Sequence, residues 1–107
     1  MTRDIMREIQ ETVTKNPIVL YMKGTKAMPQ CGFSAAVVQA LAQVGVSSFV
    51  DVNILADAEM RDAIKQYSDW PTIPQLYIAG EFIGGCDIVR EMHAKGELAA
   101  LIKKKIP

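Results

Sequence analysis

The sequence is short of what would mark a secreted scaffold, a membrane protein or a nucleic-acid binder. Only two cysteines, Cys31 and Cys86, occur in 107 residues, and they lie far apart. A secreted domain of this size would usually carry more, as a disulfide framework. In a reducing compartment a lone cysteine is either buried filler or a reactive thiol, and local context decides which. No charge sign dominates: 12 Lys and Arg stand against 12 Asp and Glu. That balance gives no electrostatic reason to expect nucleic acid or an anionic membrane as partner, although a balanced total can conceal a local patch. No apolar run approaches the ~20 residues of a membrane span. Residues 1–10, MTRDIMREIQ, mix acids and bases, unlike a secretory leader, and Asp4, Glu8 and Glu11 argue against a transit peptide. The expectation is a cytoplasmic protein, or the mature form of an organellar one. There is no repeat, linker or low-complexity segment, and the length suits one domain over residues 1–107. The single histidine, His93, reads as a surface residue, and the six methionines read as core filler.

What is present is a chain of alternating periodicities. Half of the residues are hydrophobic (50%), enough for a core without staples. Ile5, Met6, Ile9 and Val13 recur at helical spacing, with Thr2 as a candidate cap, and Asn16-Pro17 ends the helix. Ile18 to Met22 reads as a buried strand, followed by a polar loop from Lys23 to Gln30. From Cys31 the spacing turns helical, with Phe33, Val37, Val38, Leu41 and Val44 on one face and Gly45 at C′. Ser48 to Val52 alternates as a second strand, and Asp57 caps a helix through Met60, Ile64 and Tyr67. Two prolines interrupt Trp70-Pro71-Thr72-Ile73-Pro74, with Trp70 either a platform beside a site or a packed hinge. Gln75 to Ile78 and Glu81 to Ile83 read as a hairpin about Ala79-Gly80. Asp87 is expected to cap a helix burying Ile88, Val89 and Met92; Gly96 interrupts, and Leu98, Leu101 and Ile102 mark a closing helix. A βαβ unit demands a parallel pair and a hairpin an antiparallel one, so the fold class is α/β, a mixed sheet with helices on both faces.

Cys31 falls where a loop after a strand gives way to a helix. Helix N-termini present free N–H groups and positive dipole charge, which stabilise a thiolate. Lys23, at the preceding strand end, can add a cation on the same edge of the sheet, where α/β proteins bind ligands; otherwise it is a solvated surface lysine. The fourth position is Ser34, and a serine hydroxyl does not exchange with disulfides. A mixed disulfide at Cys31 must therefore be resolved by an outside thiol or by Cys86.

Cys31-Gly32-Phe33-Ser34 resembles the signature of the CGFS-type monothiol glutaredoxins. Trp70-Pro71-Thr72-Ile73-Pro74, Gly84-Gly85-Cys86-Asp87 and Lys23-Gly24-Thr25 resemble that family's other motifs in the right order, over about Asn16 to Ile102. The likeness is to the short, single-domain members. It implies a thioredoxin fold with a central four-stranded mixed sheet, and a cis peptide bond before Pro74. It implies a glutathione site in which Lys23 and Arg61 meet the carboxylates and the Ile73 backbone pairs with the tripeptide like an added strand. Phe33, Thr72, Pro74 and Gly85 belong to the same implied site. Cys86 and Asp87 would supply backbone N–H groups and a side chain at the γ-glutamyl end, at another helix N-terminus. Without the resemblance, Arg61 is a solvated helix residue.

The resemblance further implies a 2Fe–2S cluster. Such clusters normally take four thiolates. One chain offers Cys31; two chains and two glutathione thiols complete four, as a cluster-bridged homodimer. The function so implied is cluster storage and transfer to iron–sulfur client apoproteins, with Cys31 as both reactive thiol and metal ligand. Two alternatives share the site: a glutathione-dependent oxidoreductase acting in deglutathionylation, and a regulatory module in complex with BolA-type proteins.

Overall fold

The computed structural model describes residues 3–106. Helix α1 (Ile5–Lys15) starts at Asp4, whose carboxylate accepts from the Arg7 amide; the expected cap, Thr2, lies outside the described residues. Strand β1 (Ile18–Met22) follows the Asn16-Pro17 stop. Helix α2 (Gly32–Gln43) is followed by β2 (Val50–Asn53), α3 (Ala58–Ser68), β3 (Gln75–Ile78), β4 (Glu81–Gly84), α4 (Cys86–Ala94) and α5 (Glu97–Lys105). Asp57 caps α3, as its position suggested, by accepting from the Met60 amide. Gly45, with φ +86°, takes the left-handed place after α2 that L side chains rarely adopt. No helix among the described residues is long and apolar enough to cross a membrane.

The sheet order is β2-β1-β3-β4, with β1 parallel to β2 and antiparallel to β3, and β3 antiparallel to β4. Alternation along β1 divides the core in two. Ile18, Leu20 and Met22 face Val37, Leu41, Val89 and Leu98 of α2, α4 and α5. Val19 and Tyr21 face Ile9, Val13, Met60 and Ile64 of α1 and α3. Helices therefore cover both faces, as the mixed pattern required.

Three local expectations shift. The second strand runs Val50–Asn53 rather than 48–52, because pairing with β1 starts at Val19↔Val50. Gly85, not Asp87, is the N-cap of α4, so Asp87 sits inside the first turn, where an acid still complements the dipole. Phe33 leaves the core stripe of α2 and is 62% exposed; at the first turn that face has passed the end of the core and opens on a cleft.

Candidate functional site

The carboxyl end of β1, the first turns of α2 and α4, one face of α3 and the segment 70–74 surround a cleft of about 640 Å³. Lys23 enters from the strand end and Phe33 from α2. Arg61 comes from α3, and Thr72, Ile73 and Pro74 form one wall. Gly85, Cys86 and Asp87 form another. Nine of the residues singled out in the sequence thus meet in one space. Cys31 stands just outside that lining, as the N-cap of α2 immediately before Gly32 and Phe33.

The neutral Cys31 thiol closes no capping hydrogen bond. Its ionised form is nevertheless favoured. The Ser34 amide lowers its pKa most, with further lowering by the Phe33 amide, the Lys23 charge and the Ser34 hydroxyl, against an opposing effect of burial. The helix start therefore matters more than the lysine. Cys86 behaves in the opposite way: burial pushes its thiol up, the nearby Arg90 opposes this, and Asp87 and Cys31 add to the rise. The two thiols are thus shifted in opposite directions.

The segment before β3 is held from below. The Ile73-Pro74 bond is cis. Gln75 is fully buried, and its amide donates to the carbonyls of Trp70 at 3.1 Å and Thr72 at 3.2 Å. Tyr77 Oη donates back to Gln75 Oε1 at 3.2 Å. Ladder pairing on β3 begins at Gln75, so Ile73 lies beyond it. Trp70 takes both roles left open for it: it lines the cleft and packs on Phe82, ring centroids 5.7 Å apart. Its buried Nε1–H has no hydrogen-bond partner among the described residues and lies beside Gly85.

The sequence reading missed Lys65, Asp62, Leu55 and Gln75. Lys65 had a usable signal, since it follows Arg61 by four positions and shares its helical face. Asp62 Oδ1 stands 3.7 Å from Arg61 Nε at the same rim. Leu55 and Gln75 carried no local signal, because both act through tertiary placement.

The glutaredoxin family model matches residues 18–83. The chain is 53% identical over 98 residues to probable monothiol glutaredoxin 2 of Rickettsia typhi, covering 92% of this chain and 87% of that protein. The solution structure of reduced poplar apo GrxS14 matches with a TM-score of 0.82 at 49% identity, over 94% of this chain and 91% of that one. A crystal structure of a buckwheat glutaredoxin–glutathione complex matches with a TM-score of 0.78 at 25% identity, over 97% of this chain and 96% of that one. The mixed four-stranded sheet is accordingly that of a thioredoxin fold. With a single activated thiol capping α2 and a serine where a resolving cysteine would stand, the chain belongs to the glutaredoxin family, among its monothiol members.

Proposed function

We propose that the cleft binds glutathione and that two copies of the chain, each with one glutathione, carry a 2Fe–2S cluster as cargo for iron–sulfur client proteins. The observation that carries this reading is the pairing of a partly exposed Cys31, its pKa lowered, with a cleft beside it whose three cations outnumber the carboxylates of Asp62 and Asp87. Lys23, Arg61 and Lys65 bring three positive side chains to that cleft, which suits a tripeptide with two carboxylates. The buckwheat complex, a relative with glutathione bound, supports the same ligand here.

The donor set fits a shared cluster. Among the described residues no group of three or more His, Cys, Asp or Glu could hold a metal ion. On the reading that the family resemblance implies, one chain contributes Cys31, and the remaining thiolates come from a second copy and from glutathione. The chain's own part is to lower the Cys31 pKa at the helix start and to hold glutathione beside it. Half the ligands are then exchangeable small molecules, which suits a carrier. Met28 and Phe33, 68% and 62% exposed on either side of Cys31 in sequence, offer apolar surface to a second copy, a BolA-type protein or a client. Two free cysteines suit a reducing compartment such as the cytoplasm.

A weak oxidoreductase activity is the second reading, favoured by the second thiol, Cys86, lining the cleft at whose edge Cys31 caps α2. Reconstitution with iron, sulfide and glutathione tests the first. The expected product is a coloured dimer that decays to colourless monomer. It should fail to form on Cys31→Ser protein and persist on Cys86→Ser. A cluster assembling equally well without Cys31 would overturn the reading.

A further inference from the structure

Ser34 has so far figured only as the absence of a thiol, yet it is fully buried. It occupies the third position of α2, one turn from the N-cap Cys31. Its hydroxyl accepts from the backbone amide of Lys23 at 3.1 Å, eleven residues away in sequence. That amide needs such a partner. Ladder pairing of β1 stops at Met22 on the β2 side and at Tyr21 on the β3 side, so the sheet supplies none. The rest of the Lys23 backbone is fixed as well: its carbonyl accepts from the Gln30 amide at 2.9 Å, and the next amide, Gly24, donates to Asn53 Oδ1 at 2.9 Å.

We propose that Ser34 is a positioning residue: its buried hydroxyl ties the end of β1 to the first turn of α2 and so fixes the Lys23 ammonium beside Cys31 and the cleft. The inference deepens the proposed function, since it rests on Lys23 and Cys31 as working partners. A hydroxyl suits this place better than a thiol, because sulfur is a weak acceptor for an amide. Serine at the fourth position thus organises the site as well as removing a resolving cysteine. A cysteine there would trade the tie for a second thiol. Lys23 is one of several groups acting on Cys31, after the two helix amides. Loss of the tie should therefore weaken the Lys23 contribution, on top of the smaller direct effect that the Ser34 hydroxyl has on the thiol.

The test uses the full reduced chain without glutathione or cluster, so its outcome is independent of whether either binds. Amide hydrogen exchange at Lys23 and the pH profile of Cys31 alkylation are measured for wild type, Ser34→Ala, Ser34→Cys, Lys23→Gln and the Ser34→Ala/Lys23→Gln double variant. The expected result is Lys23 amide exchange faster by about tenfold in Ser34→Ala, as for one lost hydrogen bond. It should come with an upward shift of the alkylation midpoint that shrinks in the Lys23→Gln background. Ser34→Cys, nearly isosteric, should show the same two changes in weaker form. Unchanged exchange and midpoint in Ser34→Ala would overturn the proposal. An equal midpoint shift with and without Lys23 would also overturn it, because Ser34 would then act on the thiol only through its direct effect and not through Lys23. Should Ser34→Ala fail to fold, the same two outcomes are read from Ser34→Cys alone and combined with Lys23→Gln. Failure of cluster assembly with these shifts intact would overturn the cargo reading and leave the tie standing.

Discussion

Arg3 and Asp57 are joined by two hydrogen bonds, Nη2 to Oδ2 at 2.9 Å and Nη1 to Oδ1 at 3.2 Å, across 54 positions of sequence. The same guanidinium makes two bonds of 2.8 Å to Glu8 on α1. Asp57 is the N-cap of α3, and α3 delivers Arg61 and Lys65 to the cleft. The approach to α1 is thereby fastened to the helix that carries two of the cleft's cations.

This contact makes stability depend on acid. Hydrogen bonding to Arg3 holds the carboxyls of Asp57 and Glu8 below their ordinary values. A depressed carboxyl pKa contributes stability that is complete above the unfolded value and lost as pH falls through the folded value. Tm followed from neutral pH downward should therefore fall in the acid range, and Arg3→Gln should flatten that fall. The effect is small because the groups are exposed. Asp57→Ala, which also removes the cap, should cost about 0.5–2 kcal/mol by urea unfolding. Identical acid profiles for wild type and Arg3→Gln would show the contact to be energetically silent.

The two thiols should separate by reactivity. Cys31 is lowered by the first turn of α2 and Cys86 raised by burial, so near neutral pH Cys31 is the more ionised of the two. Limited alkylation followed by peptide mass analysis should find Cys31 modified well ahead of Cys86. Lys23→Ala should raise the Cys31 alkylation midpoint only in part, because the Ser34 and Phe33 amides remain.

Trp70 is the one tryptophan and lines the cleft. Its emission should change saturably as glutathione is added. A Cβ at position 85 would lie 3.2 Å from Trp70 Nε1 and 3.3 Å from the Pro74 carbonyl. Overpacking of this kind costs about 1–3 kcal/mol of stability, and Gly85→Ala should also weaken glutathione binding in so far as Trp70 and the Pro74 carbonyl shift to make room. Emission that ignores glutathione at saturating concentration would move the ligand away from this cleft.

Asn53 holds the mouth of the site. Its Oδ1 accepts from the amides of Gly24 at 2.9 Å and Leu55 at 3.0 Å. Asn53→Ala leaves both donors unmatched and should destabilise the fold by about 1–3 kcal/mol. Asn53→Asp keeps the acceptor and should retain most of the stability. Equal losses in the two variants, compared by urea titration, would mean that the acceptor is not what matters.

Much of the site was legible because its motifs are local. A thiol at a strand–loop–helix boundary sits at a helix start in whatever fold follows, and Ser34 at the fourth position excludes a C-x-x-C disulfide outright. Lys23, Phe33 and the glycine–cysteine–aspartate run were placed by motif, and they do meet. Periodicity grouped Phe33 with Val37 and Leu41 but did not show that it would be exposed on the cleft, because it says which residues share a face and not where the core beneath that face ends.

The sequence by itself determined the order of helices and strands, the mixed sheet, the monothiol chemistry and the family resemblance. The elements follow from spacing within a dozen residues, where backbone geometry dictates which side chains share a face, while the monothiol reading and the resemblance rest on the identity of motif residues between Lys23 and Asp87. Tertiary structure alone decided the strand register at Val19↔Val50, the brace that Gln75 makes under Trp70 and Thr72, and the bond from Lys23 to Ser34. Those choices depend on which backbone groups the sheet leaves unpaired at its edge. That is settled only when distant segments pack, because a polar group must then find its partner among whatever neighbours the fold has brought within reach.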